Sequence, residues 1–428
     1  MPAEPIAPPS VTVDEPGGRR ARRLVTVLAL AAVLPALYLP GLVHDFFDLK
    51  IYMRAVDWWA AGNPLYDYVQ PDRVQGALYF TYPPLSALLL RPFALLPLGL
   101  TIAVFTVLTG IGVVVTTRWL LAPVIARHGL PRVFTLTVGV LLVLAVESTR
   151  ETITLGQINM LLVVLILADL LFAVPQRRRW AGVGIGLATA LKLFPGIFIV
   201  YLLATRRWRD AVVASATAAG ATLLAAAVAP GDSWRFFTHE LWATDRVGRT
   251  DYTGNQSLFG LLSRITAPAE PSRALWLALA LLVAAYGLWR AARAARAGDL
   301  LTGLTLTGLV GALVSPITWT HHVYWFVPAV VALTDAALRA DPATPAGLRR
   351  RRWLTGLAVG TGAVIVYGVV SFHDWGVAPV RTDSPGEFLV RNAYVLLSLV
   401  LVAALPVRRS DAPAESGEKS RQLDRSPE

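Results

Sequence analysis

The sequence predicts an all-α, multi-pass integral membrane protein, and three observations carry that reading. First, 55% of the 428 residues are hydrophobic and only 16% are charged, whereas a soluble domain carries about a quarter charged residues. Second, the apolar residues gather into runs near the length of a membrane span. Third, arginine clusters separate these runs in an alternating pattern, as cytoplasmic loops do. The formal net charge of +11 could mark a nucleic-acid binder. Here the positive residues collect in the segments assigned inside, and the outer segments are acid-rich, so the charge reads as topology and no nucleic-acid partner is expected. Cysteine is absent, which excludes disulfides, thiolate nucleophiles and Cys-ligated metal sites.

Residues 1–18 are rich in Pro, Ala and Gly and read as a disordered cytoplasmic tail. A polytopic domain follows over 19–409, and 410–428 read as a second disordered tail. Arg19, Arg20, Arg22 and Arg23 precede the apolar run 24–43, which is long enough to be a retained first span rather than a signal peptide. Residues 44–97 form the longest polar excursion, with Trp58, Trp59, Tyr66, Tyr68, Tyr79 and Tyr82 before the Pro83-Pro84 breaker. These aromatics suggest short interfacial helices in a first outer loop, and 85–97 is too short to span and re-enters. Further spans are expected near 98–121, 133–148, 158–174, 211–230, 273–289, 300–314, 323–338, 353–371 and 389–407. The segment 180–205 has basic clusters at both ends and Lys192 and Pro195 near its middle. A re-entrant hairpin resolves that conflict, because broken helices are tolerated where protein or a cavity lines them. The expectation is about ten spans plus one hairpin in the plasma membrane, with both termini cytoplasmic.

The polar segments then fall on the outer side, together with five of the six histidines: His44, His239, His321, His322 and His373. Asp45 and Asp48, spaced i, i+3, would share one helix face just past the first span. Partial desolvation there raises a carboxylate pKa toward a general base, although ordinary interfacial acids would have the same spacing. In Ser315 to His322, His321 and His322 could position or deprotonate a sugar hydroxyl, with Trp319 as a stacking face. No metal is expected, since adjacent histidines point apart on a helix and no nearby acid completes a set. Asn255 and Gln256 beside Gly254, and Arg150, Gln157 and Asn159 in the segment 147–159, could bond hydroxyls, or could simply be polar loop residues. Lys192 in an apolar segment is a candidate contact for a lipid phosphate, or a snorkelling side chain. No phosphate-binding glycine loop, HExxH or serine elbow is present.

In order along the chain, Asp48-Leu49-Lys50-Ile51-Tyr52, Asn63-Pro64-Leu65-Tyr66, Phe80-Thr81-Tyr82-Pro83-Pro84, Gly156-Gln157-Ile158-Asn159, Ala190 to Pro195, Gly254-Asn255-Gln256-Ser257, and Ser315-Pro316 with His321-His322 resemble glycosyltransferase family 87. These are polyprenol-phosphate-mannose-dependent α-(1→2)-mannosyltransferases of actinobacterial envelopes, multi-pass bundles of the C-type superfamily. The similarity runs over about 24–407, and the order of the motifs is more specific than any one of them. The resemblance implies a catalytic acid in the first outer loop, which maps to Asp48 because Tyr52 follows four residues later; Asp45 is the weaker match. It also implies a polyprenyl-phosphate sugar donor, a glycolipid or lipoglycan acceptor at the outer leaflet, and no cofactor. His321 and His322 are then the other catalytic candidates. Asp45, Tyr52, Tyr82, Arg150, Gln157, Asn159, Lys192, Asn255, Gln256 and Trp319 are the substrate-binding candidates. A lipid-linked sugar flippase is the rival class, and a pentose such as arabinofuranose is the rival sugar.

Overall fold

The computed structural model describes residues 16–72, 76–369 and 384–407. Most of both expected tails, His373 and Arg408-Arg409 lie outside the described residues. The first half of the chain forms α1 (Pro16–Tyr38), α2 (Phe47–Ala60), β1 (Val69–Asp72), β2 (Gly76–Tyr79), α3 (Pro84–Ala94), α4 (Leu98–His128), α5 (Arg132–Ala145), α6 (Glu147–Thr154), α7 (Asn159–Ala168), α8 (Val183–Leu191), α9 (Ile197–Ala204) and α10 (Trp208–Val228). The second half forms α11 (Pro230–Thr238), α12 (Leu258–Thr266), α13 (Arg273–Arg296), α14 (Leu300–Val314), α15 (Phe326–Arg339), α16 (Pro345–Tyr367), α17 (Pro385–Arg391) and α18 (Ala393–Ala404).

Among the described residues, four helical stretches are long and apolar enough to cross a membrane, or six if α5–α6 and α17–α18 each count as one bent span. The first stretch begins in α1, whose apolar window is almost wholly exposed, as a lipid-facing helix should be. The chain then breaks at Asp45 and Phe46, both with positive φ, and α2 starts after the break. Other segments expected to span are shorter: α14 has 15 residues and α15 has 14, or about 21–23 Å at 1.5 Å per residue. They are not lipid-facing rods. Nearly every residue of α14 is buried, including five of its polar or glycine positions that would be unremarkable at a surface: Thr302, Thr305, Thr307, Gly308 and Gly311. α14 is therefore the centre of the bundle. Gly308 admits the Trp325 indole, since a Cβ there would lie 2.0 Å from the ring; small residues let apolar helices approach in this way.

The segment expected to be the first outer loop is not purely helical: β1 and β2 form an antiparallel hairpin, with Val69 opposite Tyr79 and Asp72 opposite Gly76. Pro71 and the polar content hid these short strands. In the segment 180–205, the chain leaves one level and returns to it. A Cβ on Gly182 would lie 2.3 Å from the Asp210 carbonyl oxygen, so the start of α8 and the start of α10 lie side by side. Between them Lys192 is extended, and Pro195 sits in a short turn over Phe194–Gly196. Asp169 secures the base by accepting from the Ile185 N–H at 2.8 Å.

A carboxylate-centred cavity at one end of the bundle

Asp48 is set in place by backbone bonds between α2 and α6. The Phe46 N–H donates to Thr154 O at 2.9 Å, and the Leu49 N–H donates to Leu155 O at 3.0 Å. The first turn of α2 thus spends two of its donors on carbonyls at the end of α6. His44 adds a side-chain bond, its Nδ1 lying 2.7 Å from Thr154 Oγ1. Gly156, at φ +74, then turns the chain against Leu49 so that Gln157 faces Asp48.

The Gln157 amide is the hub. Its Nε2 donates to Asp48 Oδ2, and also to the Tyr52 hydroxyl at 3.1 Å. Its Oε1 accepts from the Tyr82 hydroxyl at 2.5 Å, and the Tyr52 and Tyr82 hydroxyls lie 3.0 Å apart. From the hairpin tip, Lys192 Nζ donates to Tyr82 Oη and to Asn159 Oδ1, each at 3.0 Å, and lies 4.7 Å from the centre of the Tyr82 ring. Asn159 Nδ2 in turn donates to His321 O at 3.0 Å. A single polar network therefore joins Asp48 to Lys192. Burial pushes the Asp48 carboxyl up to about 6, against the opposing pull of the Gln157 bond and the Lys192 charge.

His322 Nδ1 accepts the Trp319 N–H at 3.2 Å, so the proton of the neutral ring sits on Nε2. That atom is buried without a partner among the described residues. The ring stacks on Phe194 with centroids 6.3 Å apart. His321 presents its Nδ1 3.8 Å from Glu151 Oε2, while Thr320 Oγ1 donates to the same carboxylate. Burial holds both imidazoles well below their ordinary range, hence neutral. The Trp319 ring is braced edge-on by Tyr252 at 6.1 Å.

These groups line one cavity of about 260 Å³: Asp48, Tyr52, Tyr82, Gln157, Lys192, Trp319, His321 and His322 all face it. Asn159 stands one bond behind, on Lys192. The structure does not bring the other four candidates to the cavity. Asp45 pairs with Lys50 at 2.5 Å, and its side chain is 75% exposed. Arg150 is buried and donates to the carbonyls of Ala145, Val366 and Tyr367. Asn255 ties Thr250 and Pro316 carbonyls to the Thr318 N–H. Gln256 donates to the carbonyls of Thr253 and Arg391 and accepts from the Tyr394 N–H. These last three satisfy buried backbone and so shape the walls.

Sequence reasoning missed the opposite wall. Arg246 pairs with Glu240 at 2.6 Å, donates to Tyr66 O at 2.7 Å and covers the Tyr79 ring at 4.0 Å. Glu240 is held from its other oxygen by Arg235 at 2.7 Å. Only the alternation of acids and bases over 232–246 hinted at it.

A bundle of apolar helices with a carboxylate, a cation and aromatic rings around one cavity has the make-up of a membrane protein with a ligand-sized site. The model for Glycosyltransferase family 87 matches residues 80–316. A polyprenol-phosphate-mannose-dependent alpha-(1-2)-phosphatidylinositol mannoside mannosyltransferase from Mycobacterium tuberculosis is 36% identical over 308 residues, covering 67% of this chain and 69% of the relative. Its counterpart of the same name in Mycolicibacterium smegmatis is 33% identical over 416 residues, covering 91% and 92%. A polyprenol-phosphate-mannose-dependent alpha-(1-2)-phosphatidylinositol pentamannoside mannosyltransferase from the same organism is 32% identical over 354 residues, covering 78% and 80%. No solved structure matches. The chain belongs to glycosyltransferase family 87, and it is a hexosyltransferase.

Proposed function

We propose that this protein transfers mannose from a polyprenyl-phosphate-mannose donor to a mannose-bearing phosphatidylinositol glycolipid, forming an α-1,2 link at the outer leaflet of the plasma membrane. The observation that carries the reading is the placement of Asp48 and Lys192 on the wall of one cavity, joined through Gln157 and Tyr82. The relatives' names supply the donor and acceptor classes. The ten-span arrangement, with both termini inside and the cavity outside, rests on the arginine clusters.

The mechanism is a single displacement. The ionised Asp48 carboxylate takes the proton of an acceptor hydroxyl as that oxygen attacks the anomeric carbon. The bond from that carbon to the phosphate oxygen breaks on the opposite face, so a β-linked donor gives an α product. Negative charge grows on the departing polyprenyl phosphate. The Lys192 ammonium and the Nε2–H of His322 are fixed donors for it, and fixed donors need little reorganisation during reaction. Trp319 offers a face for a sugar ring. The phosphate leaves as a stable anion, so no metal is required by this chemistry.

The test is transfer from radiolabelled polyprenyl-phosphate mannose to a panel of phosphatidylinositol mannosides and short mannosides, followed by linkage analysis. Asp48→Asn is expected to fold as the parent does and to lose transfer by about 10²–10⁴-fold. Undiminished transfer by that variant would overturn the role of Asp48. Lipid translocation without turnover on any acceptor would turn the reading to a flippase.

A further inference from the structure

We propose that a second cavity, at the arginine-rich end of the bundle, binds the phosphodiester headgroup of an anionic phospholipid. This cavity of about 190 Å³ lies between the end of the α7 segment, the hairpin's return limb α9 and the α13–α14 turn. Leu170, Val174 and Leu202 give it an apolar wall, while Tyr201, Arg207 and Arg296 give it polar groups beside Thr205, whose hydroxyl is spent on the Tyr201 and Leu202 carbonyls. Neither arginine makes a side-chain hydrogen bond or an ion pair with any described residue. The Tyr201 hydroxyl is likewise without a hydrogen-bond partner among the described residues, although the residue is only 4% exposed. A cavity lined by two guanidinium groups that make no hydrogen bond of their own and by a buried tyrosine matches an anion that accepts several hydrogen bonds.

The neighbouring acids offset only part of this charge, since two carboxylates, Asp210 and Asp299, stand against Arg177, Arg207, Arg209 and Arg296. Asp210 is shared among Arg207, Arg209 and Arg177. Asp299 caps α14 through the Thr302 N–H at 3.2 Å. The surroundings also select a lipid over a free ion. Trp208 follows Arg207 directly and is 59% exposed, and Trp289 on α13 is 50% exposed. Exposed tryptophans on apolar helices mark the headgroup level of a bilayer. Basic pockets between helices at that level hold anionic headgroups, with the acyl chains remaining in the bilayer. The consequence is mechanical. The headgroup would tie the return limb of the hairpin to the α13–α14 turn, and the tip of that hairpin carries Lys192.

The inference depends on neither Asp48 nor the identity of the sugar donor. Its test uses the full chain in phosphatidylcholine nanodiscs with and without phosphatidylglycerol, read by native mass spectrometry and thermal melting. The parent is expected to retain phosphatidylglycerol and to melt a few degrees higher with it, as any ligand of the folded state requires. The double variant Arg207→Gln/Arg296→Gln should lose both effects while transferring sugar in phosphatidylcholine alone as the parent does. Arg207→Lys/Arg296→Lys should keep most of the retention, which separates lost charge from lost folding. Equal retention by the parent and the glutamine variant would overturn the site. Equal protection by inorganic phosphate in phosphatidylcholine discs would overturn the lipid as its occupant.

Discussion

Gln157 and Asp48 stand 109 residues apart in the chain, and the Gln157 amide nitrogen donates to the Asp48 carboxylate at the cavity wall. The same amide accepts from Tyr82 through its oxygen, so it cannot flip without breaking both contacts. A bond to a charged group contributes about 1.5–3 kcal/mol. Gln157→Ala should therefore lower transfer by tens- to about a hundred-fold, with little change in melting temperature. Gln157→Glu sets a second acid against Asp48 and should cost more. Steady-state kinetics of the two variants decide this, and equal rates for both would argue against the amide as the orienting group.

The raised Asp48 carboxyl, at about 6, gives a signed dependence on pH. A base must be ionised, so kcat/KM should climb about tenfold per pH unit below 6 and level off above it. Stability runs the other way. The folded value exceeds the unfolded value of 3.8, so the protonated form is the one folding favours. That contribution is fully present below the unfolded value and is lost as pH rises through about 6. The loss is at most about 3 kcal/mol, less where cavity water reaches the carboxylate. Asp48→Asn should accordingly melt above the parent at pH 8 and level with it at pH 4. A parent that melts higher at pH 8 than its variant would contradict a carboxylate held at an energetic cost for function.

Gly156 couples stability to the site. Its φ is +74, and a Cβ there would lie 2.5 Å from the Leu49 Cβ. Leu49 follows Asp48, and Gln157 follows Gly156, so a forced shift would pull apart the pair that the turn brings together. Gly156→Ala should destabilise the fold by about 2–4 kcal/mol from strain and overpacking, and it should lower kcat beyond the loss of folded protein. Activity normalised to folded protein, measured below the melting temperature, separates the two effects.

Much of this cavity is legible in the sequence because its residues sit at chain breaks. Asp48 follows the end of a span, Gln157 and Asn159 follow a glycine, Lys192 interrupts an apolar run beside Pro195, and the histidines lie between two apolar helices. Breaks in apolar periodicity inside a membrane are where polar groups can be accommodated. The same signal cannot separate a ligand-facing amide from one that satisfies backbone, and Asn255, Gln256 and Arg150 look no different in sequence from Gln157. Asp45 shares its spacing with Asp48, yet the positive φ at Asp45 and Phe46 sends it outward to Lys50. Which apolar helices face lipid is the least legible feature. α14 and α15 are apolar because the bundle surrounds them, and composition alone reads that burial as lipid exposure.

The two histidines make separable predictions. His322 Nδ1 is occupied by the Trp319 N–H, which leaves Nε2 as an obligatory donor, buried at the edge of a ring that lines the cavity with Lys192. Removing such a donor from a developing anion costs about 10²–10³-fold in kcat. His322→Ala should show that loss, whereas His322→Gln, which can still donate from its amide, should recover part of it. His321 is turned toward Glu151 at 3.8 Å, and its carbonyl rather than its ring holds Asn159. His321→Ala keeps that carbonyl, so its loss should be smaller and should track changes in melting temperature. Single-turnover rates at saturating donor, compared with donor KM, distinguish the cases: the His322 effect falls on the rate and the His321 effect follows packing. If the two alanine variants lose the same rate with unchanged melting, both rings act on the substrate and the tautomer lock at His322 is not what sets them apart.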